Sequence, residues 1–295
     1  MPRPLQSALT RFVTQSGSQR ALNRTRSTLD QLNSQLATGK RIQRPSDDPA
    51  AFDQARALGR LEDRLAQHER NLDAATLWTD QTQTELDALG DLFAEAREVG
   101  LRGSNGVVDR DALLGELESI REAVITRLNA TSNGEYVFAG NETTTAPIQP
   151  DGSVSAGDFT GRREREIAPG VTVALNTTGV LEVDGVAAPD RIQALIDAVS
   201  ADDDAAIELA LDGVKTGVDQ YIRLGSRNGT TVRTLQTTRD MIERQAITVA
   251  EGRSKLEDAD YAEVIGALQR HQTGLEAALR ATAASTQTSI LNYLR

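Results

Sequence analysis

Apolar residues recur at spacings of three and four along most of this chain, separated by charged and amide-rich positions. That period puts them on one stripe of an α-helix. The stripe is clearest over residues 49–101. There Leu58, Leu61, Leu65, His68, Leu72, Ala75, Thr79, Thr82, Leu86, Leu89, Phe93 and Ala96 form a heptad seam. At 1.5 Å per residue such a helix is on the order of 75 Å long, the length of a coiled-coil rod. Leu113, Leu117, Ile120, Val124 and Leu128 carry a second seam to about Asn133. The glycine-containing stretch from Leu101 to Val108 reads as the loop between the two, with Asp109 or Asp111 as the next cap.

From Asn133-Gly134 to about Gly185 the period changes to that of strands. Tyr136–Gly140, Gly157–Thr160, Arg163–Ile167, Val171–Leu175 and Val180–Val183 are the candidate strands. Turns are expected at Asp151-Gly152, Pro169-Gly170, Thr178-Gly179 and Asp184-Gly185. About 50 residues of this kind hold little core by themselves, so the unit is expected to lean on the helices. Helical spacing returns with Ile192, Leu195, Ile196 and Val199, then with Ile207, Leu211, Val214, Val218 and Tyr221. Gly225 to Gly229 reads as a loop before Val232, Leu235, Ile242, Ala246, Val249 and Leu256.

The two ends are weaker. Leu5, Leu9 and Phe12 form a short stripe, and Thr14–Arg20 carries almost nothing apolar and contains Gly17. The stripe resumes at Leu22, Leu29, Leu32 and Leu36. At the other end Tyr261, Ile265, Leu268, Gln272, Leu275, Leu279, Thr282, Thr286, Ile290 and Leu294 share a face in which several positions are Gln or Thr. Such helices are marginal alone. The two arms are expected either to pair with each other or to be covered by neighbouring subunits. Between the first arm and the rod stands a joint. Gly39 suits a left-handed helix stop, Lys40, Arg41 and Arg44 follow, and Asp48-Pro49 reads as an N-cap before a first-turn proline.

The pattern therefore predicts a mainly α protein. Its N- and C-terminal segments make an elongated antiparallel helical rod with a small antiparallel β insertion. The expected divisions are an N-terminal assembly arm (1–45), a first rod segment (46–133), a β domain (134–188), a second rod segment (189–256) and a C-terminal assembly arm (257–295).

Composition sharpens this. Aromatic residues make up 3% of the chain, which argues against one large globular core. Net charge is −11, which disfavours non-specific nucleic-acid binding. The absence of cysteine excludes disulfides, thiolate metal sites and thiol nucleophiles. No apolar run approaches the ~20 residues needed to span a membrane. Residues 1–17 lack the apolar run of a cleaved secretory signal. The expectation is a cytosolic protein or one that leaves by a route reading no cleaved signal.

Catalytic patterns fail on inspection. His68-Glu69 resembles a zinc-protease helix, but the second histidine is replaced by Leu72, so a hydrogen-bonded interior histidine is expected. His271 is expected at the surface. Gly39-Lys40 resembles the end of a phosphate loop, but Ser34 stands where its first glycine belongs and Arg41 replaces the hydroxyl residue. Asp47-Asp48 and Asp202–Asp204 lack the spacing of a calcium loop and read as helix caps. Tyr136 and Phe138 read as packing residues. No enzyme activity, cofactor or metal is expected.

Two separated runs carry a resemblance. Gln35–Ile42 followed by Pro45-Ser46-Asp47-Asp48-Pro49-Ala50, and Arg253–Ala262 with its Gln- and Ala-rich helix, resemble the paired terminal signatures of the flagellin superfamily. The run Asn133–Thr143, with Tyr136-Val137-Phe138-Ala139-Gly140 at its centre, resembles the hook–filament junction branch of that superfamily. Gly157-Asp158, the Arg-rich strand and Pro169-Gly170 agree with it. The resemblance implies a structural adaptor of the bacterial flagellum, extracellular and exported unfolded through the flagellar type III apparatus. It implies copies of itself in a ring, the first hook-associated protein, flagellin and a cytosolic export chaperone as partners, with no nucleic acid and no membrane. The assembly interface is then expected on Leu22, Leu29, Leu36, Leu268, Leu275 and Leu279, beside a signature loop at Gly39, Pro45, Asp47, Asp48 and Pro49. Pro2 and Pro4 depart from the family pattern. The alternatives are a short filament flagellin, a secreted enzyme on a coiled-coil scaffold, and a soluble coiled-coil binding module.

Overall fold

The computed structural model describes residues 4–104 and 109–293, and within them the side chains of 16–283 except Ser18. The side chains of the stripe positions Leu5, Leu9, Phe12, Thr286 and Ile290 lie outside the described ones, and Pro2 and Leu294 lie outside the described residues. The elements in order are α1 (Pro4–Thr38), α2 (Pro49–Ser104), α3 (Arg110–Leu128), β1 (Thr131–Ser132), β2 (Glu135–Tyr136), β3 (Glu164–Ala168) and β4 (Val171–Ala174). They continue with β5 (Glu182–Val183), β6 (Val186–Ala187), α4 (Ala188–Ala201), α5 (Asp204–Glu257) and α6 (Tyr261–Tyr293). The chain divides into a central unit, 64–245, and a terminal unit made of 1–63 with 246–295.

In the central unit the heptad seam of α2 is the buried face. Leu65, Leu72, Ala75, Thr79, Thr82, Leu86, Leu89, Phe93 and Ala96 are all buried. The two threonines remove their hydroxyls from the apolar face by donating to Ala75 O at 3.0 Å and Trp78 O at 2.8 Å. Helix α5 runs antiparallel to α2. Arg239 meets Asp73 at 2.8 Å, Asn228 donates to Thr79 O at 2.9 Å, and Tyr221 stacks tilted on Phe93 with ring centroids 5.2 Å apart. Helices α3 and α4 pack against each other. Every predicted seam residue of α3 is buried, and so are Ile192, Leu195, Ile196 and Val199 of α4.

Two expectations of a loop are corrected, at Leu101–Ser104 and at Gly225–Gly229. Helix α2 runs on through Leu101–Ser104, where a loop was expected; the rest of that stretch, 105–108, lies outside the described residues. Helix α1 is continuous through Gly17. A single glycine costs about 1 kcal/mol against Ala but removes no hydrogen bond, so the helix continues. Helix α5 is continuous through Gly225–Gly229. There Gly225 is a close-approach position, as is Gly217 two turns earlier, whereas Gly229 has nothing within 4 Å of where a Cβ would go. A Cβ on Gly225 would stand 3.2 Å from Gln83 Nε2, and one on Gly217 would stand 2.3 Å from Phe93 Cδ1. Asn228 is buried and reaches across to α2. Within the stretch that read as a turn, Gly225 and Asn228 are the residues that meet α2.

The strand region also differs from the expectation. It forms three separate two-stranded antiparallel pairs, β1–β2, β3–β4 and β5–β6, and not one sheet. Gly157–Thr160 is turn and bend, and of Tyr136–Gly140 only Tyr136 lies in a strand. The hairpin turns come where glycine and a left-handed residue permit them, at Asn133-Gly134 and Asp184-Gly185. The pairs lean on the helices, as so small a unit must. Tyr221 donates its hydroxyl to Val180 O at 3.0 Å, Asn71 Nδ2 donates to Glu166 O at 2.8 Å, and Arg163 lies 4.7 Å over the Trp78 ring. Burial pushes the Tyr221 phenol far above the ordinary range.

Candidate assembly interface

The joint after α1 is built from the residues that the spacing singled out. Gly39 has φ +69°, and its N–H bonds to Gln35 O at 2.8 Å, closing the helix. The Asp47 carboxylate accepts from the backbone N–H groups of Gln43 and Arg44, both at 3.0 Å. Those bonds, Gln43's foremost, hold its carboxyl below the usual range. Asp48 Oδ1 accepts from Ala51 N at 3.1 Å and caps α2, with Pro49 as first helical residue and Pro45 exposed before it. The loop folds back on α1, with Ser34 Oγ 3.0 Å from Gln43 Oε1 and Gln35 Nε2 donating to Arg41 O at 3.1 Å.

The second signature lies directly against this loop. Arg41 N donates to Glu257 O at 2.6 Å, Ile42 N to the same oxygen at 3.4 Å, and Ala259 N to Gly39 O at 2.9 Å. Lys40 and Asp258 form an antiparallel bridge. Their side chains pair at 2.7 Å, and Lys40 Nζ also meets Glu257 at 3.1 Å. Arg41 donates to Leu256 O at 2.8 Å. Arg253 ties Glu62 at 2.6 Å and Glu257 at 3.2 Å. Ile42, 4% exposed, is the buried apolar residue of this clasp. The hydrogen bond between Lys40 and Asp258 holds the ammonium above its ordinary range and the carboxyl below its own. The bond to Glu62 likewise raises the Arg253 guanidinium.

Helices α1 and α6 pack side by side beyond the clasp. Of the six leucines predicted on their seams, Leu29 is buried, Leu22, Leu36, Leu268 and Leu275 are half-buried, and Leu279 is 42% exposed. Among the described side chains of the two helices only Leu29 and Val264 are buried. Ile265 and Tyr261 are exposed on the same helix as Leu279. The sequence pattern did not single out Lys40, Ile42, Glu257, Asp258 or Tyr261 as partners across the joint. A signal existed in the opposite charge of the two signatures, basic at 40–44 and acidic at 257–260.

The histidines make no site. His271 is exposed, and His68 is half-buried with no hydrogen bond to its buried Nδ1, against the expectation of a hydrogen-bonded one. Asp203 caps α5 through Ala205 N and Ala206 N. Among the described residues no cluster of three or more potential ligands forms a metal site, and no helix is long and apolar enough to cross a membrane.

Long helices from the two ends of the chain, closed on each other by paired signatures around a small insertion, define a structural protein of the flagellin type. The model of the bacterial flagellin N-terminal helical region matches residues 11–143, and that of the C-terminal helical region matches 211–294. The chain belongs to the flagellin superfamily. Within it the chain is similar to flagellar hook-associated protein 3. It is 27% identical to that protein of Escherichia coli over 84% of this chain and 87% of the relative. Against that of Salmonella typhimurium the identity is 25% over the same shares. The solved structure of a putative flagellar hook-associated protein from Vibrio parahaemolyticus shares the fold, with TM-score 0.66, 23% identity and coverage of 72% of this chain and 100% of that one.

Proposed function

We propose that this protein is a structural adaptor joining the hook-associated region of the flagellum to the flagellin filament. Copies pack head-to-tail in a ring through α1 and α6, a heterologous contact that closes or spirals according to its rotation. The first hook-associated protein and flagellin are the partners on either side. A cytosolic chaperone holds the chain before export through the flagellar type III apparatus. The likeness to hook-associated protein 3 supports the place in the flagellum.

The thin cover on α1 and α6 carries the assembly reading. Burying a leucine contributes about 1.5–3 kcal/mol. Fixing each residue's backbone costs about 1–2 kcal/mol. Two buried side chains among the described ones are thin cover for helices of 35 and 33 residues, which supports the reading that further copies supply contacts. Leu275→Asp is expected to abolish incorporation into flagella, seen by electron microscopy. The central unit should keep its near-ultraviolet signal from Trp78 and Tyr221. Normal incorporation of that variant overturns the interface. A deletion strain is expected to show hooks without filaments and flagellin in the medium; a filament that is merely shorter would favour a filament flagellin instead.

A further inference from the structure

Asparagine followed by glycine is a chemically labile pair. With no side chain on the second residue, its backbone nitrogen is uncovered and can attack the asparagine side-chain carbonyl. The chain contains such pairs at 105–106, 133–134 and 228–229, and the first lies outside the described residues. The fold puts the other two in opposite surroundings.

Asn228-Gly229 lies inside α5. Asn228 is 4% exposed, and its Nδ2 donates to Thr79 O at 2.9 Å and to Gln83 Oε1 at 3.1 Å. The Gly229 nitrogen is committed to the helix ladder. Attack here requires that both side-chain bonds break, that a stretch of helix unwinds and that α5 parts from α2. Asn133-Gly134 is the turn between β1 and β2. Both residues are exposed, with φ of +52° and +82°. Nothing lies within 4 Å of where a Cβ on Gly134 would stand, so the turn can swing without meeting a neighbour. Among the described residues no hydrogen bond or ion pair fixes the Asn133 side chain. Ring closure needs a swing of the Asn133 ψ angle, and hence a brief opening of the hairpin. That opening costs little, because the ladder pairs only Thr131 with Tyr136 and Ser132 with Glu135.

We propose that Asn133 is a site of spontaneous deamidation in the folded protein, and that the fold protects Asn228 from the same reaction. The Gly134 nitrogen bonds to Asn133 Cγ, the Cγ–Nδ2 bond breaks, and ammonia leaves with the proton given up by the Gly134 nitrogen. Water then opens the succinimide ring. Hydrolysis at one carbonyl gives aspartate. Hydrolysis at the other gives isoaspartate, in which the main chain runs through the former side chain. Neither an oxidant nor an enzyme takes part. Both products place a negative charge near Glu135, whose carboxylate meets Arg163 at 2.9 Å. Isoaspartate also adds a methylene to the main chain of a two-residue turn, so Ser132 and Glu135 no longer meet in register. The converted fraction grows with time after synthesis.

Peptide mapping by mass spectrometry, on the full-length protein aged in mildly alkaline buffer, tests this. In the folded protein the Asn133 peptide should gain aspartate and isoaspartate at least about tenfold faster than the Asn228 peptide. In urea that unfolds the chain the two rates should converge, because the difference lies in the fold. Isoaspartyl methyltransferase should label the aged Asn133 peptide and leave the Asn228 peptide unlabelled. Equal rates at the two sites in the folded protein overturn the proposal. So does an Asn133 that stays intact in the folded protein while it converts in urea.

Discussion

At the scale of single residues, Gly39 shows how one position sets a joint. Its φ of +69° is open to glycine, whereas a side chain there costs about 1–2 kcal/mol. A Cβ would also stand 2.8 Å from the Tyr261 hydroxyl, the far end of an exposed side chain that can move aside. Gly39→Ala is therefore expected to destabilise the terminal unit by about that strain alone, read as a lowered unfolding midpoint for that unit. The ion pair beside it has a defined pH window. Asp258 is depressed by Lys40, so its contribution is complete above the unfolded-chain value of about 3.9 and is lost as pH falls below it. Lys40 is raised by Asp258, so its contribution is complete below about 10.4 and is lost as pH rises further. Both groups are about two-fifths exposed, which limits the pair to about 1 kcal/mol or less. Exchange of the Arg41 amide should stay flat from pH 5 to 9 after correction for its intrinsic rate, and rise outside the window. Gly39, Asp48 and Pro49 were legible in the sequence because local backbone geometry demands those residue types. Tyr261 and Glu257 were not, because nothing local says which distant segment lies opposite.

At the scale of elements, α5 holds glycines of opposite meaning. Gly217 lies against the buried ring of Phe93, so Gly217→Ala forces a clash and should cost about 1–3 kcal/mol. Gly229 has nothing within 4 Å of where a Cβ would go, so Gly229→Ala should stabilise the helix by about 0.5–1 kcal/mol. Urea unfolding followed by Trp78 fluorescence should move in opposite directions for the two variants. Equal shifts would refute the packing account. The sequence pattern placed a loop at Gly225–Gly229 because Asn-Gly and clustered glycines mark turns in the absence of a partner. The partner changes the outcome, since α2 approaches there, with Gly225 opposite Gln83 and Asn228 bonded to Thr79 O. The seams of α2, α3 and α4 were legible for the converse reason. A buried stripe must repeat at helical spacing whatever it packs against.

At the scale of the whole molecule, the division into two units has a consequence for truncation. A chain from which 1–45 and 257–295 are removed should keep the Phe93–Tyr221 packing. Its Trp78 unfolding midpoint should stay close to that of the intact chain. A loss of cooperative unfolding would show that the arms support the central unit. The sequence by itself determined the helical class, the positions of the seams, the caps at Asp48 and Asp203, and the weakness of both ends. These follow from period, propensity and charge, which act over a few residues. The tertiary structure alone decided that the strands form three separate pairs, that α5 passes unbroken through its glycines, and that one signature clasps the other. Each of those outcomes depends on which surfaces meet across distances in the chain where the cost of loop closure and the fit of side chains, not local preference, select the partner.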